Sequence, residues 1–291
     1  MKLSIDTCGL KERFSEEEIF KMLKIAGFES VDYSLCYLDK GYDMLTDDYR
    51  EKALKTKELA DKYGLTFGQA HAPFSIGHEN EFCEEDEEYL KIVRSLEYAS
   101  IIDAKNVVIH SIKNFLPEGT DVKELNIRFF KSLEPYAKKF GVKISIENLF
   151  FRRQTPDEPL KAVYGSPENT LEFIKALDSD VFNMCFDMGH SAITGHEVQG
   201  VIERIGSEIA IMHVQDTDLK DDCHMPPFTM KQNWEEIAKA LAKSGYKGDF
   251  SLEIPTFTKR MPPELLESGL KFAHDCGRLM IEKIEYYKNN N

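Results

Sequence analysis

The sequence predicts an α/β fold, a single-domain (β/α)₈ barrel occupying residues 1–291. Three observations carry the prediction. Short β-branched runs alternate with amphipathic helical patterns eight times, and strictly alternating βα units imply a parallel sheet that closes at eight strands. The 291 residues suit a barrel of roughly 250 with modest insertions. No Gly-rich phosphate or dinucleotide fingerprint follows the first strand, which counts against the alternative of an open doubly wound sheet. No shift in composition marks a second domain.

The units follow in order. Leu3 to Ile5 reads as the first strand. Ser15-Glu16-Glu17-Glu18 then reads as a capped, acid-rich helix start, with Ile19, Phe20, Leu23 and Ala26 at helical spacing and Gly27 as the stop. A strand near Ser30 to Tyr33 precedes a helix from about Asp47 to Tyr63, closed by Gly64. Thr66 to Ala70 is the third strand, followed by a helix over about Asp86 to Ile102. Asn106 to Ile109 is a continuous apolar strand of the buried parallel type, and Val122 to Phe140 its helix, stopped by Gly141. Lys143 to Ile146 is the fifth strand, with Pro167 suited to the first turn of a helix ending at Ala176. Phe182 to Phe186 and Ile209 to Val214 are the sixth and seventh strands, with helices near Glu197 to Ile205 and Trp234 to Ser244. Phe250 to Ile254 is the eighth, and Pro263 to Tyr287 the closing helix. The acidic segment Glu79 to Glu88 reads as a solvated loop and helix start, and Asn289 to Asn291 as a frayed tail.

A hydrophobic fraction of 42% supports a sizeable core. Acidic residues outnumber basic ones 51 to 37, a net charge of −14. That mean field repels polyanions, so nucleic acid is disfavoured as a partner. The start, Met1-Lys2-Leu3-Ser4-Ile5-Asp6, lacks an apolar run of signal-peptide length, and no stretch approaches a membrane span. The six cysteines are scattered without a C-x-x-C pair, which reads as reduced thiols in a cytoplasmic protein. Self-association into a homo-oligomer stays open.

In such a barrel, chemistry sits on the loops after the strands. The residues that close the strands from the third onward are His71, His110, Glu147, Asp187, His213 and Glu253. Singly, each reads as a loop capper or salt-bridge partner. That reading fails when it must be invoked six times on one rim. His190 lies just past the sixth strand as a ligand or a substrate hydrogen-bond donor. Asp222 and His224 lie past the seventh, as ligands or as part of a solvated loop. Arg152 and Arg153 follow the fifth strand as a phosphate clamp or an exposed salt-bridge pair. Phe14, after the first strand, is the candidate to shield substrate, with Phe150 and Phe151 on the same rim. Trp234 reads as helix packing, and His78, His196 and His274 as surface or structural residues.

The runs Gln69-Ala70-His71-Ala72-Pro73, Val108-Ile109-His110-Ser111, Ile146-Glu147-Asn148-Leu149, Phe186-Asp187-Met188-Gly189-His190, Met212-His213-Val214-Gln215-Asp216 and Leu252-Glu253-Ile254 resemble the xylose isomerase-like TIM barrel superfamily. The motifs stand in the expected order over nearly the whole chain. That superfamily contains sugar and sugar-phosphate isomerases and epimerases, inosose dehydratases and the endonuclease-four class of apurinic endonucleases. The resemblance implies that Glu147, Asp187, His213 and Glu253 hold a metal ion. It implies that His71 and His110 bind an additional metal or contact substrate, and that His190, Asp222 and His224 match the endonucleases' remaining ligands.

Departures from the endonuclease pattern point away from DNA. Cys223 stands where an arginine separates the Asp and His, Met225-Pro226-Pro227-Phe228-Thr229 replaces a glycine-containing stretch, and long basic insertions are absent. The ketose 3-epimerases' substrate-binding arginine aligns near Leu219. The expectation is therefore an isomerase or epimerase of a small sugar, sugar phosphate or polyol. Its divalent cation would be Mn²⁺, Zn²⁺ or Co²⁺ rather than Mg²⁺, given a mixed carboxylate and imidazole ligand set. Glu147 and Glu253 would exchange the proton next to a carbonyl through an enediolate. The competing readings are an apurinic endonuclease-like phosphodiesterase with several zinc ions, a cyclic-polyol dehydratase and a non-catalytic sugar-binding barrel.

Overall fold

The computed structural model describes residues 1–36, 44–74, 82–114 and 116–290. Eight strands, β1 (Leu3–Asp6), β2 (Ser30–Ser34), β3 (Thr66–His71), β4 (Asn106–Ile109), β5 (Lys143–Glu147), β6 (Phe182–Asp187), β7 (Ile209–His213) and β8 (Phe250–Leu252), form one sheet. Every ladder in it is parallel, and β8 pairs with β1 as well as following β7 in the chain. The seam between β7 and β8 is joined at Val214, whose N–H donates to Ser251 O at 2.8 Å while Glu253 N–H donates back to Val214 O at 3.0 Å. The expected barrel is the observed one.

Parallel strands buried on both faces need apolar residues at nearly every position. Val107, Val108 and Ile109 on β4 and Met184, Cys185 and Phe186 on β6 are all buried. Helices cover the outside and end where the sequence says they should. Ser15 Oγ accepts from Glu18 N–H at 3.4 Å while Ser15 N–H donates to Glu18 Oε2 at 2.9 Å, completing a capping box on the helix Glu16–Ala26. That helix stops at Gly27, whose φ of 105° a side chain would not tolerate.

The differences are local. Short helices Cys8–Lys11, Met188–Ile193 and Pro255–Arg260 occupy stretches read as loops. A small hairpin pairs Phe150–Phe151 with Lys161–Ala162. The closing helix runs Pro263–Asn290, so Asn289 and Asn290 extend it rather than fray. His78 and the first part of the acidic segment lie outside the described residues. Among the described residues no helix is long and apolar enough to cross a membrane.

Candidate metal centre

Because the strands are parallel, their carboxyl ends share one rim, and the ligand-type residues sit there. His71, Glu147, Asp187 and His213 are the last residues of β3, β5, β6 and β7, while His110 and Glu253 directly follow β4 and β8. Glu147 is the hub. Its Oε1 lies 3.0 Å from His213 Nδ1 and 3.3 Å from His190 Nδ1, and its Oε2 lies 2.8 Å from His110 Nε2. His213 Nδ1 also stands 3.4 Å from Glu253 Oε2 and 3.9 Å from Asp187 Oδ2. One ligand atom from each of Glu147, Asp187, His213 and Glu253 lies within 4.8 Å of the other three. Four ligands around a tetrahedral ion with bonds of about 2.0–2.1 Å would stand about 3.4 Å apart, a comparable spacing.

Two further groupings flank this one. His71, His110 and Glu147 converge on one side, where His71 Nε2 faces His110 Nε2 at 3.1 Å. His190, Asp222 and His224 converge on the other, with Asp222 Oδ2 2.9 Å from His224 Nε2 and 3.5 Å from His190 Nε2. All nine ligand-type residues singled out in the sequence therefore line one connected centre.

The donor set fits a cation. Glu253 Oε2 is buried without a hydrogen-bond donor, which costs free energy unless a positive charge compensates. Electrostatics agree. Burial works against a proton on His213, yet Cys185, Glu253 and Glu147 hold its pKa well above the imidazole range. His224 is likewise opposed by burial and raised to about 10 by Asp222 and Glu253. Burial favours protonation of Glu147, but His213 and His110 outweigh it and keep the carboxyl well below its usual range. Burial, with Glu147 and Asp187 nearby, pushes Glu253 well above it despite His213 and His224. His71 is pushed down to about 4 by burial and by His110. The carboxylates around His213 and His224 favour a positive charge there, a proton that a bound cation would displace, whereas His71 favours the neutral form that a ligand needs.

A second layer fixes the first. Asp187 N–H donates to Asn148 Oδ1 at 2.8 Å, and Asn148 Nδ2 returns a bond to Asp187 O at 2.9 Å. Asp187 also caps the helix Met188–Ile193 by accepting from the His190 backbone N–H at 2.6 Å, which fixes the helix start that carries His190. Gln215 Nε2 lies 3.2 Å from Asp187 Oδ2 and 2.9 Å from Asp222 Oδ1, while its Oε1 accepts from His224 N–H at 2.8 Å. His224 itself has a φ of 49°, a left-handed conformation rare for a side chain of this size. Asp222 and His224 thus stand with His190 on the wall of the central cavity.

The remaining predicted residues divide. Phe14 packs partly buried against the core beneath Arg13, whose guanidinium lies 5.2 Å from its ring, and does not line the central cavity. Phe74 does line that cavity, with ring centroids 5.5 Å from His71 and 5.2 Å from His110. Phe150 packs edge-on to His190 at 4.9 Å. Arg153 is paired with Asp221 at 2.6 Å, whereas Arg152 is exposed on the cavity wall. Trp234 is buried and donates from Nε1 to Asp216 Oδ2 at 2.8 Å, a packing role. His196 bonds Gly165 O, and His274 packs against Phe28, both off the centre.

Residues the sequence reading missed are Asp6, Asp32, Cys36 and Phe74 on the central cavity, and Lys113 beside it. A signal existed for Asp32. A charged residue in the middle of a fully buried strand needs a partner, and it has two, Gln69 Nε2 at 2.7 Å and His213 Nε2 at 3.1 Å.

Comparisons with known proteins agree with this architecture. The chain is 28% identical over 206 residues to MJ1311 of Methanocaldococcus jannaschii, covering 67% of each chain. It is 26% identical to y4fM of Sinorhizobium fredii, covering 68% of this chain and 62% of the relative. Among solved structures it resembles a D-tagatose 3-epimerase-like protein (TM-score 0.74, 22% identity, 98% of this chain and 99% of the other). It also resembles D-psicose 3-epimerase with D-tagatose from Clostridium cellulolyticum H10 (TM-score 0.73, 15% identity, 97% and 99%). A third is the IolI protein with a bound zinc atom (TM-score 0.68, 15% identity, 99% and 99%). The family model of the xylose isomerase-like TIM barrel matches residues 20–276. Strands β2 to β8 and every ligand-type residue described above fall inside that span, and this chain belongs to the xylose isomerase-like TIM barrel family.

Proposed function

We propose that residues 1–291 form one cytoplasmic enzyme, a divalent-metal-dependent isomerase or epimerase of a small sugar, sugar phosphate or polyol. The observation that carries this reading is the approach of Glu147, Asp187, His213 and Glu253 ligand atoms to within 4.8 Å of one another, with Glu147 and Glu253 on the wall of a cavity. The sugar epimerases among the structural neighbours support the same reaction class, and the zinc of the IolI protein supports Zn²⁺ alongside Mn²⁺ and Co²⁺ as the ion.

When bound, the cation would polarise a carbonyl and the adjacent hydroxyl and so acidify the C–H between them. The chain's own residues do the rest. Glu147, from β5, and Glu253, from the end of β8, present carboxylates from different sides of the cavity. One takes the proton from the α-carbon and the other returns a proton, to the same carbon in an epimerase or to its neighbour in an isomerase. His190 and His224 stand where they can hydrogen-bond substrate hydroxyls, and Phe74 restricts water at the entrance.

The test is metal analysis of the purified protein together with solvent deuterium exchange at the α-carbon across a panel of ketoses and polyols. Bound Mn²⁺, Zn²⁺ or Co²⁺ with metal-dependent exchange is the expected result. Absence of exchange from every compound by the metal-loaded protein would overturn the reading.

A second reading has its own observation. The groupings His71–His110–Glu147 and His190–Asp222–His224 would suit two more cations, as in metal-dependent phosphodiester hydrolysis. Incision of abasic duplex DNA would establish that alternative. The net charge of −14 weighs against it.

A further inference from the structure

Beyond the cluster of ligand-type residues, the same rim carries a cationic wall. Lys113, in the loop after β4, is half-buried, and its Nζ donates to Phe150 O at 2.8 Å and lies 5.3 Å from the Phe150 ring centroid. It makes no ion pair among the described residues. Burial pushes its pKa down while Glu147 and Asp222 pull it back up and Arg152 presses it lower. Arg152, in the loop after β5, is exposed and makes no hydrogen bond or ion pair among the described residues. Both line a cavity of about 390 Å³ whose other wall is His110, His190 and Asp222. That volume lies in the range of small-molecule sites, about 300–1,000 Å³.

The acidic groups nearby do not neutralise this wall. Asp222 is engaged by Gln215 at 2.9 Å and by His224 at 2.9 Å. Glu158, on the neighbouring cavity shared by Lys113 and Arg152, is paired with Lys161 at 2.9 Å. Arg153 is already spent on Asp221. A partly buried ammonium without an ion-pair partner among the described residues is costly, and a guanidinium fork free to turn toward the same space suits a bidentate anion.

We propose that the substrate carries an anionic group, a phosphate monoester or a carboxylate, at the end remote from its reacting carbonyl, and that Lys113 and Arg152 bind it. The inference rests on the isomerase or epimerase reading and deepens it. Lys113 and Arg152 attract the anion to the rim, while the cluster of Glu147, Asp187, His213 and Glu253 takes the carbonyl end. The two ends of the site together select one end-to-end orientation of the substrate.

The test is calorimetric titration of the purified protein with matched pairs: D-ribulose against D-ribulose 5-phosphate, and D-fructose against D-fructuronate. One anionic ketose is expected to bind at least about tenfold more tightly than its neutral parent, consistent with charge-assisted hydrogen bonds. The arm that shows the preference distinguishes phosphate from carboxylate. In Arg152→Met and in Lys113→Met the preference should fall to about threefold or less, and rising salt should weaken it in the wild type. Arg152 is exposed, so its variant keeps the test valid if Lys113→Met folds poorly. Equal binding of anionic and neutral ketoses, no binding of either anionic ketose, or a preference that survives in Arg152→Met overturns the proposal. Deuterium exchange measured in parallel separates the two readings. Exchange without anionic preference removes this inference alone, and anionic preference without exchange removes the isomerase reading and leaves an anion site.

Discussion

Asp32 Oδ2 lies 3.1 Å from His213 Nε2, and the opposite nitrogen of the same ring, Nδ1, lies 3.0 Å from Glu147 Oε1. A proton on Nε2 donated to Asp32 leaves the Nδ1 lone pair of a neutral ring aimed at carboxylate oxygens. Only a proton or a cation between them makes that arrangement stable. Asp32 would therefore orient His213 toward a cation held at Nδ1 without itself being a ligand. The variant Asp32→Asn is expected to weaken Zn²⁺ or Mn²⁺ affinity by about 10–100-fold, the usual cost of a lost outer partner. Chelator-competition titration would measure it, and unchanged affinity would remove Asp32 from this role.

Glu147→Gln and Glu253→Gln should each lower α-proton exchange by about 10²–10⁴-fold, the range of a general acid–base group. Stability should move differently. Burial and the neighbouring Glu147 and Asp187 already push Glu253 toward its neutral form, so a neutral amide there should leave the metal-free protein at least as resistant to heat. Thermal unfolding of the metal-free variants checks this second half. A lower melting temperature for Glu253→Gln would mean that its charge serves the fold.

The barrel was legible because burial on both faces forces apolar runs, such as Val107, Val108 and Ile109 on β4 and Met184, Cys185 and Phe186 on β6. The candidate ligands were legible because parallel strands place their last residues on one rim, so chain position alone brought His71, Glu147, Asp187 and His213 together. What stayed hidden had no periodic signal. The helix Met188–Ile193 begins directly after Asp187, the last residue of β6 and its N-cap, leaving no loop to announce it. The hairpin strands Phe150–Phe151 and Lys161–Ala162 are too short for alternation to register. Asp32 and Lys113 matter through partners 181 and 37 residues away in the chain, contacts that only the folded ring creates.

Gly189 illustrates how tightly the second layer is built. A Cβ placed there would stand 2.4 Å from Gln215 Cδ and 2.7 Å from Gln215 Nε2. Gln215 is the side chain that joins Asp187, Asp222 and His224. It cannot retreat without releasing them. Gly189→Ala should therefore cost about 1–3 kcal/mol of stability by overpacking and lower metal affinity at the same time. Denaturant unfolding and chelator competition on one preparation test the pairing, and a stable variant with normal affinity would show that Gln215 repacks freely.

Far from the centre, Glu134 ties the helix Val122–Phe140 to the segment before β6. Its Oε1 lies 2.7 Å from Lys138 Nζ and accepts from Ser179 Oγ at 2.7 Å, and its Oε2 lies 3.1 Å from Lys131 Nζ. Lys138 first, then Ser179, lower its pKa to about 2 against the opposing effect of burial. A carboxyl ordinarily near 4.3 in the unfolded chain thus binds its proton more weakly when folded. The stabilisation is complete above about pH 5 and is lost as pH falls toward about 2, because protonation then favours the unfolded state. Glu134→Gln should be less stable than the wild type near neutrality by on the order of 1 kcal/mol, a modest figure because the network is at the surface. That gap should narrow steadily between about pH 5 and pH 3, as the unfolded chain takes up the proton first. Urea unfolding at several pH values measures the gap, and one that stays constant over this range would show that the ion pairs at Glu134 contribute nothing to acid sensitivity.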